Sequence, residues 1–113
     1  MGSLPEYDNL TFTLPTVYNY LPFEIVEVKG LTLLSHLGKD AFCIDPRRWH
    51  RVKQYISNGI VEYPEAKTDF GILDGRHRTL LLMKIYKIDK VPIVVEKCNL
   101  DVFIREAKRL HAL

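Results

Sequence analysis

Near its N-terminus the chain alternates apolar and polar residues in short runs. Further on, its apolar residues fall at helical spacing. Leu10-Thr11-Phe12-Thr13-Leu14 alternates with period two and predicts a short strand. Phe23-Glu24-Ile25-Val26-Glu27-Val28 predicts a second strand, stopped by Lys29-Gly30. Leu31-Thr32-Leu33-Leu34 suits either a short helix or a strand. Ala41-Phe42-Cys43-Ile44 is an apolar run that ends at Asp45-Pro46. Asp at the N-cap and Pro at the first helical position form a strong helix start. The helix then runs from Arg47 to Ile56 and stops at Asn58-Gly59. Trp49, Val52 and Ile56 share its core-facing side.

Phe70-Gly71-Ile72-Leu73 predicts a strand, Asp74-Gly75 a turn, and the segment from about Arg78 to Tyr86 a helix. That helix is apolar nearly all round (Leu80, Leu81, Leu82, Met83, Ile85), so it belongs at the centre of the molecule. Val91-Pro92-Ile93-Val94-Val95 is β-rich, and Pro92 marks the beginning of a strand or an edge, because it cannot donate to a ladder. Leu100, Phe103, Ile104, Ala107 and Leu110 form the apolar stripe of a closing helix. This order predicts a small α/β or α+β fold with helices packed on a mixed sheet. Residues 1–22 hold Pro5, Pro15 and Pro22 with Tyr7, Tyr18 and Tyr20 between them. They read as an extended arm lying on a single domain of residues 23–113.

Composition narrows the class. The chain has 113 residues, 47% hydrophobic, 11% aromatic and 27% charged, which suits one folded domain with one modest core. No apolar run approaches the ~20 residues of a membrane span. Met1-Gly2-Ser3-Leu4-Pro5-Glu6 lacks a signal-peptide pattern, and Glu6 stands where a myristoylation motif wants Ser or Thr. A cytoplasmic location without membrane attachment is the expectation. Sixteen Lys+Arg against fourteen Asp+Glu give a net charge of +2, too weak to argue for nucleic acid by itself. Cys43 and Cys98 form no CxxC pair and are expected to be buried free thiols.

Local clustering is more telling. Leu73-Asp74-Gly75-Arg76-His77-Arg78-Thr79 lies at a strand-to-helix junction. The first N–H groups of a helix have no internal partner, and its dipole favours negative charge there. Gly75 lets the backbone turn and approach a ligand. Arg76, His77 and Arg78 add cationic side chains, which together suit a phosphate. Arg78 is expected to be an exposed fork that the fold does not need. Arg48, Arg51 and Tyr55 recur at i, i+3, i+7 on the helix after Pro46 and form a second basic stripe. Each cluster is equally consistent with a solvated surface. Two basic helix starts could also close on one polyphosphate.

These segments resemble the ParB/sulfiredoxin superfamily over roughly residues 23–96. Ile44-Asp45-Pro46-Arg47-Arg48-Trp49 is similar to the sulfiredoxin helix that touches ATP. Gly75-Arg76-His77-Arg78 is similar to the Gly-Cys-His-Arg phosphate loop of sulfiredoxin and to the Gly-Glu-Arg-Arg box of the CTP-binding ParB proteins. It is also similar to the Asp-Gly-His-His-Arg box of archaeal free-serine kinases. Lys90-Val91-Pro92-Ile93-Val94-Val95 is the strand downstream. The resemblance implies phosphate contacts from Gly75, His77 and Arg78 and a nucleotide contact from Arg48. Arg51 and Tyr55 replace a Ser and a Thr. Arg76 replaces the reductive cysteine, so sulfinic-acid reduction is not expected. ParB proper uses a helix-turn-helix and a dimerisation domain after this one, so with the sequence ending at Leu113 centromere binding of the usual kind is not expected either.

The expected function is therefore nucleotide binding, as an NTPase or phosphotransferase, with ATP or CTP as the cofactor, with or without Mg²⁺. Arg48, Arg51, Gly75, Arg76, His77, Arg78 and Thr79 are the candidate nucleotide contacts. His77 and Asp74 are the candidate catalytic residues, and no metal-ligand set stands out. Asp40, Glu24, Glu27 and Glu65 are candidate general bases. One alternative is a DNA-binding protein or nuclease using Arg47, Arg48, Arg51 and Lys53 on phosphates. Another is a non-catalytic adaptor whose protein partner docks on the arm, since aromatics are favoured at interfaces.

Overall fold

Val91, Ile93 and Val95 are fully buried on one face of a seven-residue strand, and the fold is arranged around that strand. The chain is described here from a computed structural model, which covers residues 4–113. The expectation about Met1-Gly2 lies outside the described residues. In chain order the elements are β1 (Thr11–Thr13), β2 (Phe23–Lys29), α1 (Gly30–Leu37), α2 (Pro46–Ser57), β3 (Ile60–Glu62), β4 (Glu65–Ala66), β5 (Ile72–Asp74), α3 (Arg76–Tyr86), β6 (Lys90–Glu96) and α4 (Leu100–Arg109). Four strands form a mixed sheet in the order β2-β6-β4-β5, while β1 and β3 form a separate parallel pair. The result is a mixed α/β domain, as the alternation of strands and helices predicts.

The register of β2 on β6 explains which residues face which way. Phe23 pairs with Glu96 and Lys29 with Lys90, antiparallel throughout. Val26 and Val28 therefore share a face with Val91, Ile93 and Val95, and the helices pack on that side. Phe70 and Phe103 meet there with ring centroids 5.1 Å apart. Burying a side chain such as Ile56 or Phe103 contributes roughly 1.5–3 kcal/mol. On the other face Tyr18 lies edge-on to Phe23, 5.7 Å between centroids, and its hydroxyl donates to Glu65 Oε2 at 3.0 Å.

The arm is less extended than its prolines suggest. Residues Tyr7–Asn9 and Thr16–Asn19 form short 3-10 turns, each closed by a local backbone hydrogen bond. Its strand β1 pairs with β3 (Thr11↔Ile60, Phe12↔Val61, Thr13↔Glu62), so the arm is built into the body. Tyr7 packs against Phe12 and Tyr86, and Tyr86 donates its hydroxyl to Pro5 O at 2.8 Å. Tyr20 alone of the three expected arm tyrosines is strongly exposed.

Two further expectations are corrected and two open readings are resolved. Leu31–Leu34, which suits either a helix or a strand by sequence, is helical within α1, and the apolar run at residues 41–44 begins inside a 3-10 turn (Lys39–Phe42). The strand expected at residues 70–73 is shifted to Ile72–Asp74, and Phe70 is buried in the core ahead of it. Both cysteines are free but exposed, since each follows or occupies a short surface turn. Strand β6 lies inside the sheet, yet Pro92 costs it nothing. The bonds Lys97 N–H to Pro22 O and Gly30 N–H to Asp89 O close the two ends of the ladder. Glu27↔Pro92 is then a non-hydrogen-bonded pair, and the N–H that proline lacks would point away from β2. On that side β4 meets β6 at Glu65↔Val94, two residues away.

Candidate functional site

Helix α2 starts as its sequence dictates. The Asp45 carboxylate accepts from Arg47 N–H at 3.0 Å, and Pro46 occupies the first turn. Helix α3 starts two residues earlier than expected, at Arg76. Its N-cap, Gly75, has φ +104° and no side chain to offer the first turn. Thr79 N–H is the first in the helix to reach a carbonyl, that of Gly75 at 2.9 Å. The N–H groups of Arg76, His77 and Arg78 therefore lack intrahelical partners.

The two helix starts are tied together. Asp45 N–H donates to His77 Nε2 at 2.9 Å. Arg76 Nη1 donates to Ala41 O at 2.7 Å and to Cys43 O, fixing the segment that leads into α2. His77 is buried, and burial together with Arg76 and Arg48 pushes its pKa below the usual imidazole value, against a smaller pull from Asp45. The ring is accordingly neutral at pH 7, with Nε2 unprotonated as the acceptor.

Between α2 and α3 lies a cleft of about 670 Å³. Arg48, Arg51 and Tyr55 line it from α2, Ile60 and Glu62 from β3, and Leu73 to Arg78 from the β5–α3 junction. The structure thus brings the two basic clusters onto one cavity. Arg48 is well exposed and only loosely paired with Asp45, at 3.9 Å. Tyr55, Ile60 and Leu73 present exposed apolar surface along the same cleft.

Other candidates stand apart from it. Thr79 is buried, and its hydroxyl donates to Gly75 O at 2.9 Å. Arg47 and Lys53 are exposed on α2 but do not line the cleft. Nor do Glu24, Glu27, Asp40 or Glu65. Glu24 pairs with Lys97, and Glu65 receives the Tyr18 hydroxyl.

Arg78 differs most from expectation. Its side chain is only 13% exposed and is held on both sides. Nη2 pairs with Asp74 Oδ2 at 2.8 Å, and Nη1 reaches Glu62 Oε1 and Glu62 O at 3.1 Å and Tyr63 O at 3.4 Å. Gly75 is also used differently. A Cβ there would lie 2.7 Å from Pro64 Cα, so the missing side chain makes room for Pro64. Glu62 was not foreseen as a site residue. The available signal was the β-branched pair Ile60-Val61 between Gly59 and Pro64, which marks a short strand delivering Glu62 to its end.

Among the described residues there is no group of three or more His, Cys, Asp or Glu side chains able to hold a metal ion. The cleft's two carboxylates, Glu62 and Asp74, both face the Arg78 guanidinium. This donor set does not fit a resident Mg²⁺. Among the described residues no helix is long and apolar enough to cross a membrane. Comparison of the chain with protein-family models, curated proteins and solved structures found no match.

Proposed function

We propose that the protein binds a nucleoside polyphosphate, ATP or CTP, in the cleft between α2 and α3 and acts on its terminal phosphoryl group as an NTPase or phosphotransferase. One observation carries this reading. The 2.9 Å bond from Asp45 N–H to His77 Nε2 holds two helix starts together, and Arg48 and Arg51 from one and Gly75 to Arg78 from the other line one cavity. Phosphoryl transfer asks a protein mainly for such positioning and charge neutralisation. The phosphates lie on the α3 start and the α2 arginines, and the base lies along Tyr55 and Ile60. His77 and Arg76 position the two helices; they do not move protons. The ParB/sulfiredoxin-like reading of the fold belongs to the same proposal. Its support is the meeting of the Asp-Pro helix with the Gly-Arg-His-Arg turn. The test is a thermal-shift screen of ATP, ADP, CTP and GTP with and without Mg²⁺, in which a triphosphate raises the melting temperature.

Arg47 and Lys53 favour a second reading, because they are exposed on α2 outside the cleft. With Arg48 and Arg51 they surround the solvent side of that helix and suit a nucleic-acid backbone. DNA affinity that falls steeply with salt, with no mononucleotide stabilisation, would select it.

A further inference from the structure

Arg78 Nη1 faces three oxygens, Glu62 Oε1, Glu62 O and Tyr63 O, whereas Nη2 pairs with the Asp74 carboxylate. The two carboxylates are therefore not equivalent. If Asp74 withdraws, Nη2 loses its ion-pair partner. If Glu62 withdraws, Nη1 keeps two backbone carbonyls. Glu62 is half exposed (46%), though less so than Asp74 (66%), and it stands at the end of a three-residue strand on the cleft wall. It is the acceptor that can leave without orphaning a largely buried guanidinium.

From this geometry we infer that Glu62 is the catalytic carboxylate of the cleft, held by Arg78 until a nucleotide arrives. The inference rests on the nucleotide reading and deepens it. An incoming terminal phosphate is doubly charged near pH 7 and competes with Glu62 for Nη1. Once displaced, the Glu62 carboxylate gives up its cationic partner, and both its oxygens are free to face the cleft. It then accepts a proton from the water that attacks the γ-phosphorus. The new P–O bond forms from that water, and the bond from γ-phosphorus to the β,γ-bridging oxygen breaks. The nucleoside diphosphate leaves with the bonding electron pair. Water and triphosphate thus give diphosphate, phosphate and one proton, which rests on Glu62. In the cleft Asp74 stays on Arg78 Nη2 and keeps the guanidinium in place.

The test uses the full chain with MgATP and MgCTP as probes. Glu62→Gln keeps an oxygen that can accept from Arg78 but removes the charge and the basicity. A gate and base in one residue have opposite effects on binding and turnover. Nucleotide affinity is expected to rise about fivefold, the upper end for a partly exposed ion pair. Diphosphate release is expected to fall about 100-fold, the low end for loss of a general base. Asp74→Asn, measured beside it, is expected to weaken binding, because Arg78 loses an anchor. If Glu62→Gln weakens both binding and turnover, Glu62 is structural and the inference fails. Unchanged turnover also overturns it, as does wild-type binding without diphosphate release. Absence of binding in the wild type overturns the nucleotide reading itself.

Discussion

His77 and Asp45, 32 residues apart in the chain, join the starts of two helices: the backbone N–H of Asp45 donates to His77 Nε2 at 2.9 Å. An acceptor nitrogen cannot be protonated without losing that bond, so acid acts directly on the geometry of the cleft. Burial, Arg76 and Arg48 hold the folded pKa of His77 below its unfolded value of 6.5. The unfolded chain thus takes up a proton before the folded one. Stability from this residue is complete above about pH 6.5 and falls as the pH drops through the folded pKa. Melting curves from pH 8 to pH 5 should show this loss in the wild type, and His77→Gln should flatten the part due to this residue.

Gly75→Ala is expected to be costly for two separate reasons. A φ of +104° is strained for any side chain, and the added Cβ would meet Pro64 Cα at 2.7 Å. Backbone atoms cannot yield as a side-chain tip can, so a loss above about 2 kcal/mol is expected. Urea unfolding of the variant measures it. A loss under about 0.5 kcal/mol would mean that Pro64 does not pack on Gly75.

Arg78→Ala is expected to lower stability by about 1–3 kcal/mol, unlike an exposed surface arginine. It removes the cation between Glu62 and Asp74 and leaves two carboxylates and two backbone carbonyls without their donor. Arg78→Lys should recover part of this, because one ammonium cannot span both sides of the pair. Chemical denaturation of the three proteins decides it.

Tyr18→Phe tests how firmly the arm is held. Tyr18 is buried as a residue, and its hydroxyl donates to Glu65 Oε2 at 3.0 Å; burial and that carboxylate push the phenol pKa well up. Removing it should cost about 1–2 kcal/mol. Hydrogen exchange should quicken at residues 11–18 before it quickens in α2 or α3.

Much of the helical framework was legible because its signals are local. Asp45-Pro46 and Asn58-Gly59 bracket α2, and the 3.6-residue stripe of Phe103 and Ala107 marks α4. Strands β3 and β4 were barely legible: β3 shows only the β-branched pair Ile60-Val61, and β4 no local signal. They hold three and two residues, and their partners lie far away, Thr11 opposite Ile60 and Val94 opposite Glu65. Non-local pairing leaves little trace in so short a stretch. The same limit hid the state of Arg78. Its type and position suggest a free fork, but Glu62, 16 residues earlier, meets it only in the folded chain. His77 illustrates the converse: its place at the phosphate turn was readable, while its burial and its bond to Asp45 depend on how α2 packs on α3.

If the α2 arginines and the α3 start hold one polyphosphate, as proposed, Arg48 and Arg51 test it most cleanly, because they line the cleft from an exposed helix face. The measurement is calorimetric titration of the wild type and Arg48→Ala/Arg51→Ala with MgATP and MgCTP, with melting temperatures recorded alongside. Each lost charged contact is worth about 1.5–3 kcal/mol, so affinity in the double variant should fall at least 100-fold. The melting temperature should stay nearly constant. Equal affinity in the two proteins, or no binding heat in the wild type with either nucleotide, would rule out the shared site.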